Sequence, residues 1–138
     1  MADLTIVAAD VRVAEPHMVS RVTLTAGVAI SAGMPCYIDS NGLAQKCVST
    51  AAAGSAFDGI AAATVSAGSP VTLIQQGGKL YIGAHGLAIG AFIYTSDTAG
   101  KLSDTSIPTP NLETPIAKAI TSTVIIVTRM DFTPAANT

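Results

Sequence analysis

The sequence predicts an all-β fold, a small single-domain β-barrel or sandwich built of repeated hairpins. Three observations carry that expectation. A unit of glycine, short apolar strand, polar turn and second strand recurs along the chain. Short period-2 segments, roughly eight to ten of them, are separated by closely spaced turn signals, the pattern of a barrel or sandwich. No stretch shows the 3.6-residue periodicity of an amphipathic helix.

The unit appears first from Gly33 to Leu43, with Pro35-Cys36-Tyr37-Ile38 as its strand and Asn41-Gly42 as its turn. It returns as Gly68-Ser69-Pro70-Val71-Thr72-Leu73, turning through Gln76-Gly77-Gly78 into Lys79-Leu80 and on to Tyr81-Ile82. The third copy, Gly90 to Thr95, takes a longer turn to Leu102, for which Ser96, Asp97 and Gly100 are suited. Tyr37 and Tyr94 occupy equivalent places in the first and third copies and are expected to pack the same spot in each. Asn41-Gly42 as a two-residue loop would set Cys36 opposite Cys47. That position is a hydrogen-bonded pair, less suited to a bridge, and two thiols packed in a sheet is the preferred reading.

Before the units, residues 4–14 alternate, with Val7, Ala9, Val11 and Val13 on one face and Asp10 and Arg12 on the other. This reads as a strand that is an edge or an arm, and edges offer unpaired backbone to a neighbouring chain. Glu15-Pro16-His17-Met18 breaks it, and a second strand follows from Ser20 to Thr25. Residues 48–58 read as a short helix or a loop, and 59–65 as a strand. The proline-stiffened stretch 107–115 belongs at a surface or an edge. A last hairpin pairs 116–120 with 123–128 through a turn at Thr121-Ser122, and the Val124–Val127 run reads as a strand buried on both faces. The chain thus divides into an N-terminal arm (1–20), a barrel or sandwich domain (21–130) and a C-terminal tail (131–138).

Composition narrows the function classes. At 138 residues the chain is long enough for one domain with its own core. Only 12% of residues are charged, with three Phe, three Tyr and no Trp. About a quarter is usual, so either a partner covers part of the surface or the surface is small and inert. The net charge is −2 and the Lys and Arg residues form no run, which argues against nucleic acid. No basic, apolar leader opens the sequence, and Val124–Val127 is too short to cross a bilayer, so the expectation is a soluble protein made in the cytosol.

A search for chemistry yields little. His17 and His85 are isolated from any His or carboxylate pattern. G-x-S-x-G and the phosphate-binding glycine motifs do not occur. Cys36 and Cys47, ten residues apart with no second pair, supply two ligands where zinc takes four. Asp39, Asp97 and Asp104 sit in or beside turns, where carboxylates cap backbone. The expectation is a protein without catalytic residues, metal or cofactor.

Phe57-Asp58-Gly59-Ile60-Ala61, Val65 through Leu73 and Gln76-Gly77 resemble the capsid cement, or head-decoration, proteins of tailed bacteriophages. Leu87 through Tyr94, Gly100-Lys101-Leu102, Ile116-Ala117-Lys118-Ala119 and the earlier Ala26 through Pro35 are similar to the same pattern, so the resemblance spans roughly residues 22–129. It implies a compact β-fold of the β-tulip kind, often trimeric, that binds the outer surface of the expanded head and bridges major capsid subunits. No active site goes with that family. A dimer fits the residues as well as a trimer does. On this expectation Leu4, Ile6, Val7, Val11 and Val13 are the candidate interface, as a strand that augments a capsid sheet or a sister copy. Removing residues 1–14 should then abolish binding and spare the fold. The rival readings are a phage tail or fibre domain that recognises a host glycan and, more remotely, a hydrolase.

Overall fold

The structure, a computed structural model, describes residues 3–4, 6–13, 21–47, 57–96, 98–104 and 115–128. Among these there are eleven strands, one 3-10 turn (Ala8–Asp10) and no α-helix. In chain order the strands are β1 (Arg12–Val13), β2 (Arg21–Thr25), β3 (Pro35–Ile38), β4 (Ala44–Lys46), β5 (Gly59–Ala61) and β6 (Pro70–Ile74). They continue as β7 (Lys79–Tyr81), β8 (Phe92–Thr95), β9 (Leu102–Ser103), β10 (Ala117–Ala119) and β11 (Val124–Val127). Two antiparallel sheets result. One runs β2-β6-β5-β3-β4, the other β1-β7-β11-β10-β8-β9. Of the barrel or sandwich expected from the sequence, an all-β sandwich is what forms.

The principal core lies between the sheets. Phe57, Ile60, Ile74 and Cys47 from the five-stranded side meet Leu80, Ile93, Ile125 and Val127 from the six-stranded side. A second apolar cluster covers the other face of the five-stranded sheet, where Val71, Leu73, Ala61, Cys36 and Ala44 pack under Ala26 and Ile30. The segment after β2 folds back over this face. Ala26 bridges Ala44, and Ile30 bridges Val65, so the first and last strands of the sheet touch at one point.

The recurring glycines have a common role. Each is third in a four-residue turn: Met34 N–H donates to Ser31 O, Ser69 N–H to Ser66 O, and Ala91 N–H to Ala88 O. Gly33, Gly68 and Gly90 there adopt φ of 91°, 88° and 91°, as the third residue of a type II turn must. Strands β3, β6 and β8 follow directly. The unit is therefore a glycine turn that launches a strand, and what comes next differs. The first and third units go on to hairpins, β3–β4 and β8–β9. The second does not. Strands β6 and β7 belong to different sheets, joined by a corner at Gln75–Gly78 that β11 holds: Gly77 N–H donates to Val127 O and Val127 N–H to Gly78 O.

Both hairpins with apparent two-residue turns use three-residue loops instead. In β3–β4, Ile38 pairs with Ala44 and Cys36 with Lys46, one residue away from the expected register. Asp39 sets this. Its Oδ1 accepts from Asn41 N–H and Leu43 N–H, both at 2.9 Å, and its Oδ2 accepts from Gln45 Nε2. The Leu43 and Gln45 donors hold that carboxyl below its ordinary pKa of 3.8. The turn's share of stability is therefore whole above that value and fades as pH falls through the lowered one. In β10–β11, Ala119 pairs with Ile125, and Thr121 Oγ1 accepts from Thr123 N–H and Val124 N–H. Strand β11 is not buried on both faces. Ile125 and Val127 are buried, while Val124 and Ile126 are half-buried. The strand expected over 59–65 ends at Ala61, after which Val65 makes its single bridge. The segments 14–20, 48–56, 105–114 and 129–138, with His17, fall outside the described residues.

The N-terminal expectation needs the largest correction. Residues 4–14 do not form one strand. The turn at Ala8–Asp10 interrupts them, and among the described residues Arg12–Val13 form the ladder, at the edge of the six-stranded sheet beside β7. Leu4 N–H donates to Leu102 O, and Asp3 bridges Ser103, so the segment also covers the opposite edge. Leu4 and Val11 are 7% and 9% exposed within the principal core. Residues 3–13 are part of the domain and not an arm outside it. Truncating Leu4 to Ala should cost about 2–4 kcal/mol in urea-induced unfolding, because its buried side chain packs in the principal core. Removal of residues 1–13 should lower the melting temperature sharply instead of sparing the fold.

Gly33 and Gly68 separate two costs of one substitution. A Cβ at Gly68 would meet nothing within 4 Å, whereas at Gly33 it would stand 3.1 Å from Ile6 Cγ2 and 3.3 Å from Val11 Cγ2. Gly68→Ala should cost about 1–2 kcal/mol, the backbone term alone. Gly33→Ala should exceed it in the same denaturation assay, because Ile6 and Val11 must also move.

Candidate interaction surface

The five residues expected at an interface are not on one surface. Leu4 and Val11 are buried, Ile6 and Val13 are half-buried against the principal core, and Val7 alone is well exposed, at 57%. Their apolar character serves this chain's own interior.

A different surface emerges from strand order. Residues directly opposite in a ladder share a face. The outward side of the six-stranded sheet carries the row Arg12–Tyr81–Val124 and, next to it, the row Lys79–Ile126–Lys118–Phe92. Tyr81, Val124 and Ile126 are half-buried, and Phe92 is 49% exposed. Ile89, in the turn that leads into β8, is the most exposed large apolar residue described, at 73%. Two cations lie down on this face. The Arg12 guanidinium sits 4.1 Å from the centre of the Tyr81 ring, and Lys118 Nζ sits 5.4 Å from that of Phe92. Such contacts are worth about 0.5–1 kcal/mol each at exposed sites. Tyr94, expected to match Tyr37, does not. Tyr37 packs against the principal core, whereas Tyr94 is half-buried opposite Ser103 in the other sheet.

Sequence reasoning missed this surface although its local signal is visible. Lys79-Leu80-Tyr81 and Ala117-Lys118-Ala119 each alternate buried with half-buried. Their adjacency follows only from the order β7-β11-β10, which joins segments far apart in the chain.

The remaining candidates have structural partners. His85 Nδ1 accepts from Leu87 N–H at 3.0 Å, which leaves the proton on Nε2 to be donated to Thr121 O at 2.7 Å. The imidazole thus ties its loop to the β10–β11 turn. Leu4, Ile6, Met34 and Leu102 help to line a cleft of about 170 Å³, below the roughly 300 Å³ at which small-molecule pockets begin. Among the described residues no three His, Cys, Asp or Glu side chains converge as metal ligands.

The register of β3–β4 decides the cysteines. A slip of one residue moves a side chain to the opposite face. Cys36 accordingly faces the second cluster and Cys47 the principal core, and both are free thiols. Burial pushes the Cys36 thiol up to about 12, with Lys46 opposing only slightly. Both thiols are predicted to resist a water-soluble thiol reagent in the native protein at pH 8. In denaturant both should react, with no reductant needed beforehand.

No family model matches the chain, and no curated protein is similar to it in sequence.

Proposed function

We propose that this protein is a structural component of a tailed-phage virion that binds the outer surface of the expanded head and stabilises it by bridging major capsid subunits. The observation that carries the reading is the outward face of the six-stranded sheet, where half-exposed apolar side chains alternate with cations. Its rings, Tyr81 and Phe92, and its arginine, Arg12, are of the types enriched in protein–protein contacts. The cement-like segments quoted from the sequence include the glycine turns that launch β3, β6 and β8, so the resemblance falls on what shapes the fold. On this reading the protein acts by contact and not by catalysis, without a cofactor, and associates with its own kind as a trimer or a dimer. Several copies held at several points gain avidity beyond any one contact. The N-terminal strand is no longer its clamp.

The tail or fibre reading needs an aromatic platform open to a sugar. Tyr81, half-buried, and Phe92, exposed, stand on the outward face, and a cation already lies over each. That favours the head over a glycan.

The test is co-sedimentation with expanded, undecorated heads of the phage that encodes the protein. Saturable pelleting at a fixed copy ratio is expected, and the ratio identifies the symmetry sites filled. A folded protein that stays in the supernatant at every input would overturn the reading and send the search to glycan binding.

A further inference from the structure

We propose that Met34 is an oxidation site: a peroxide converts its thioether to the sulfoxide while both cysteines stay reduced, and the oxidised side chain loosens the β8–β9 hairpin from the five-stranded sheet. Three of the described residues carry sulfur, and their surroundings differ. Cys36 and Cys47 are fully buried. Met34 is half-buried and lines the cleft that it shares with Leu4, Ile6 and Leu102. Its sulfur stands at the cleft wall. A Cβ at Gly100, which lines the same cleft, would lie 3.0 Å from Met34 Sδ and 3.3 Å from Met34 Cε. At about 170 Å³ the cleft far exceeds the roughly 15 Å³ that seats one water molecule, so a small peroxide fits beside the sulfur.

Reactivity selects the same residue. A thiol meets peroxide as its thiolate, whereas a thioether needs no ionisation. Burial keeps the Cys36 thiol protonated, and its S–H donates to Met34 O at 3.4 Å. At Met34 a sulfur lone pair attacks one oxygen of hydrogen peroxide, so that an S–O bond forms as the O–O bond breaks. Sulfur gives up two electrons and the peroxide takes them. The proton on the new S–O–H group passes to the departing hydroxide, which leaves as water. Methionine sulfoxide reductases are the enzymes that reverse such a step.

The position of Met34 gives the added oxygen a mechanical effect. Met34 N–H closes the turn that launches β3, and the side chain packs against the second cluster. Its sulfur accepts from Ser31 N–H at 3.5 Å and rests on Gly100, whose own N–H donates to Cys47 O at 2.9 Å. One apolar side chain thus braces the hairpin against the sheet. A sulfoxide is polar and loses free energy in an apolar contact without a hydrogen-bond donor. It therefore turns from Gly100 toward the cleft, where Ser31 also stands.

The experiment treats the full native chain with hydrogen peroxide and locates added oxygen by tandem mass spectrometry. Met34 is expected to take one oxygen while Cys36 and Cys47 take none. Hydrogen exchange at the Gly100 amide should then quicken several-fold. Met34→Leu, close in volume, is the control, and its Gly100 amide should not respond to peroxide. Circular dichroism establishes that both proteins are folded before treatment, and the location of oxygen in wild type stands whether or not the variant folds. A Met34 left intact at a dose that oxidises it fully in urea would overturn the proposal. So would oxygen on either cysteine ahead of Met34. Unchanged exchange at Gly100 once Met34 is oxidised would overturn it too, as would an equal response in Met34→Leu, which would trace the effect to another methionine. No step uses phage heads, so each of these outcomes leaves the head-binding proposal standing.

Discussion

Where strands β5 and β6 pair, at Ile60–Ile74 and Ala61–Leu73, they are apolar on both sides, and the rest of the fold is arranged to keep both sides dry. Ile60 and Ile74 point into the principal core, while Ala61, Val71 and Leu73 point into the second cluster. A sheet with one wet face alternates apolar and polar residues, and this pair cannot. The six-stranded sheet covers one side, and the returning segment from Ala26 to Met34 covers the other. The two strands also approach closely. A Cβ at Gly59 would lie 2.8 Å from Leu73 Cβ and 2.9 Å from Ile74 O, so the residue opposite Cys36 has to be glycine. Because the second cluster needs a cover, the chain cannot pass straight from β2 to β3.

The sequence made the fold class and the strand-launching turns legible, because these depend on neighbours. Glycine third in a turn, with proline at the head of β3 and of β6, is a local statement. Register was less legible. Asn41-Gly42 suits a two-residue loop, but equally a type I turn closed by a glycine bulge. The choice fell to Asp39, whose carboxylate needs the N–H groups of both Asn41 and Leu43. The N-terminal alternation misled for a related reason. Val11 and Val13 keep their period across β1, but Ala8-Ala9-Asp10 has little preference for a strand and turns instead. Leu4 and Val11 are apolar because they close a core with residues such as Leu102, and no local pattern distinguishes that from an apolar contact with another protein.

The candidate surface was hidden differently. Seven cations spread from Arg12 to Arg129 look dispersed in the sequence. Strand order brings three of them together, and strand order depends on pairings such as Lys79 with Ile126 and Lys118 with Phe92. The second unit shows the same limit. Its glycine turn and strand are as regular as the others, yet the strand after the corner goes to the other sheet because β11 accepts it there.

The two sheets also differ in how far the chain must reach to build them. All five strands of one come from residues 21–74, consecutive in chain order. The other joins Arg12 to Tyr81 and Leu80 to Ile125, so β7 finds both its partners at a distance and one of them near the end. During synthesis the first sheet can close while the second half is still being made. The second cannot assemble until β11 has emerged. Non-local pairings of this kind form slowly. Arg12 and Val13 thus wait for a partner made much later in the chain, and until the second sheet forms the Ile60–Ile74 side of the first lacks its cover.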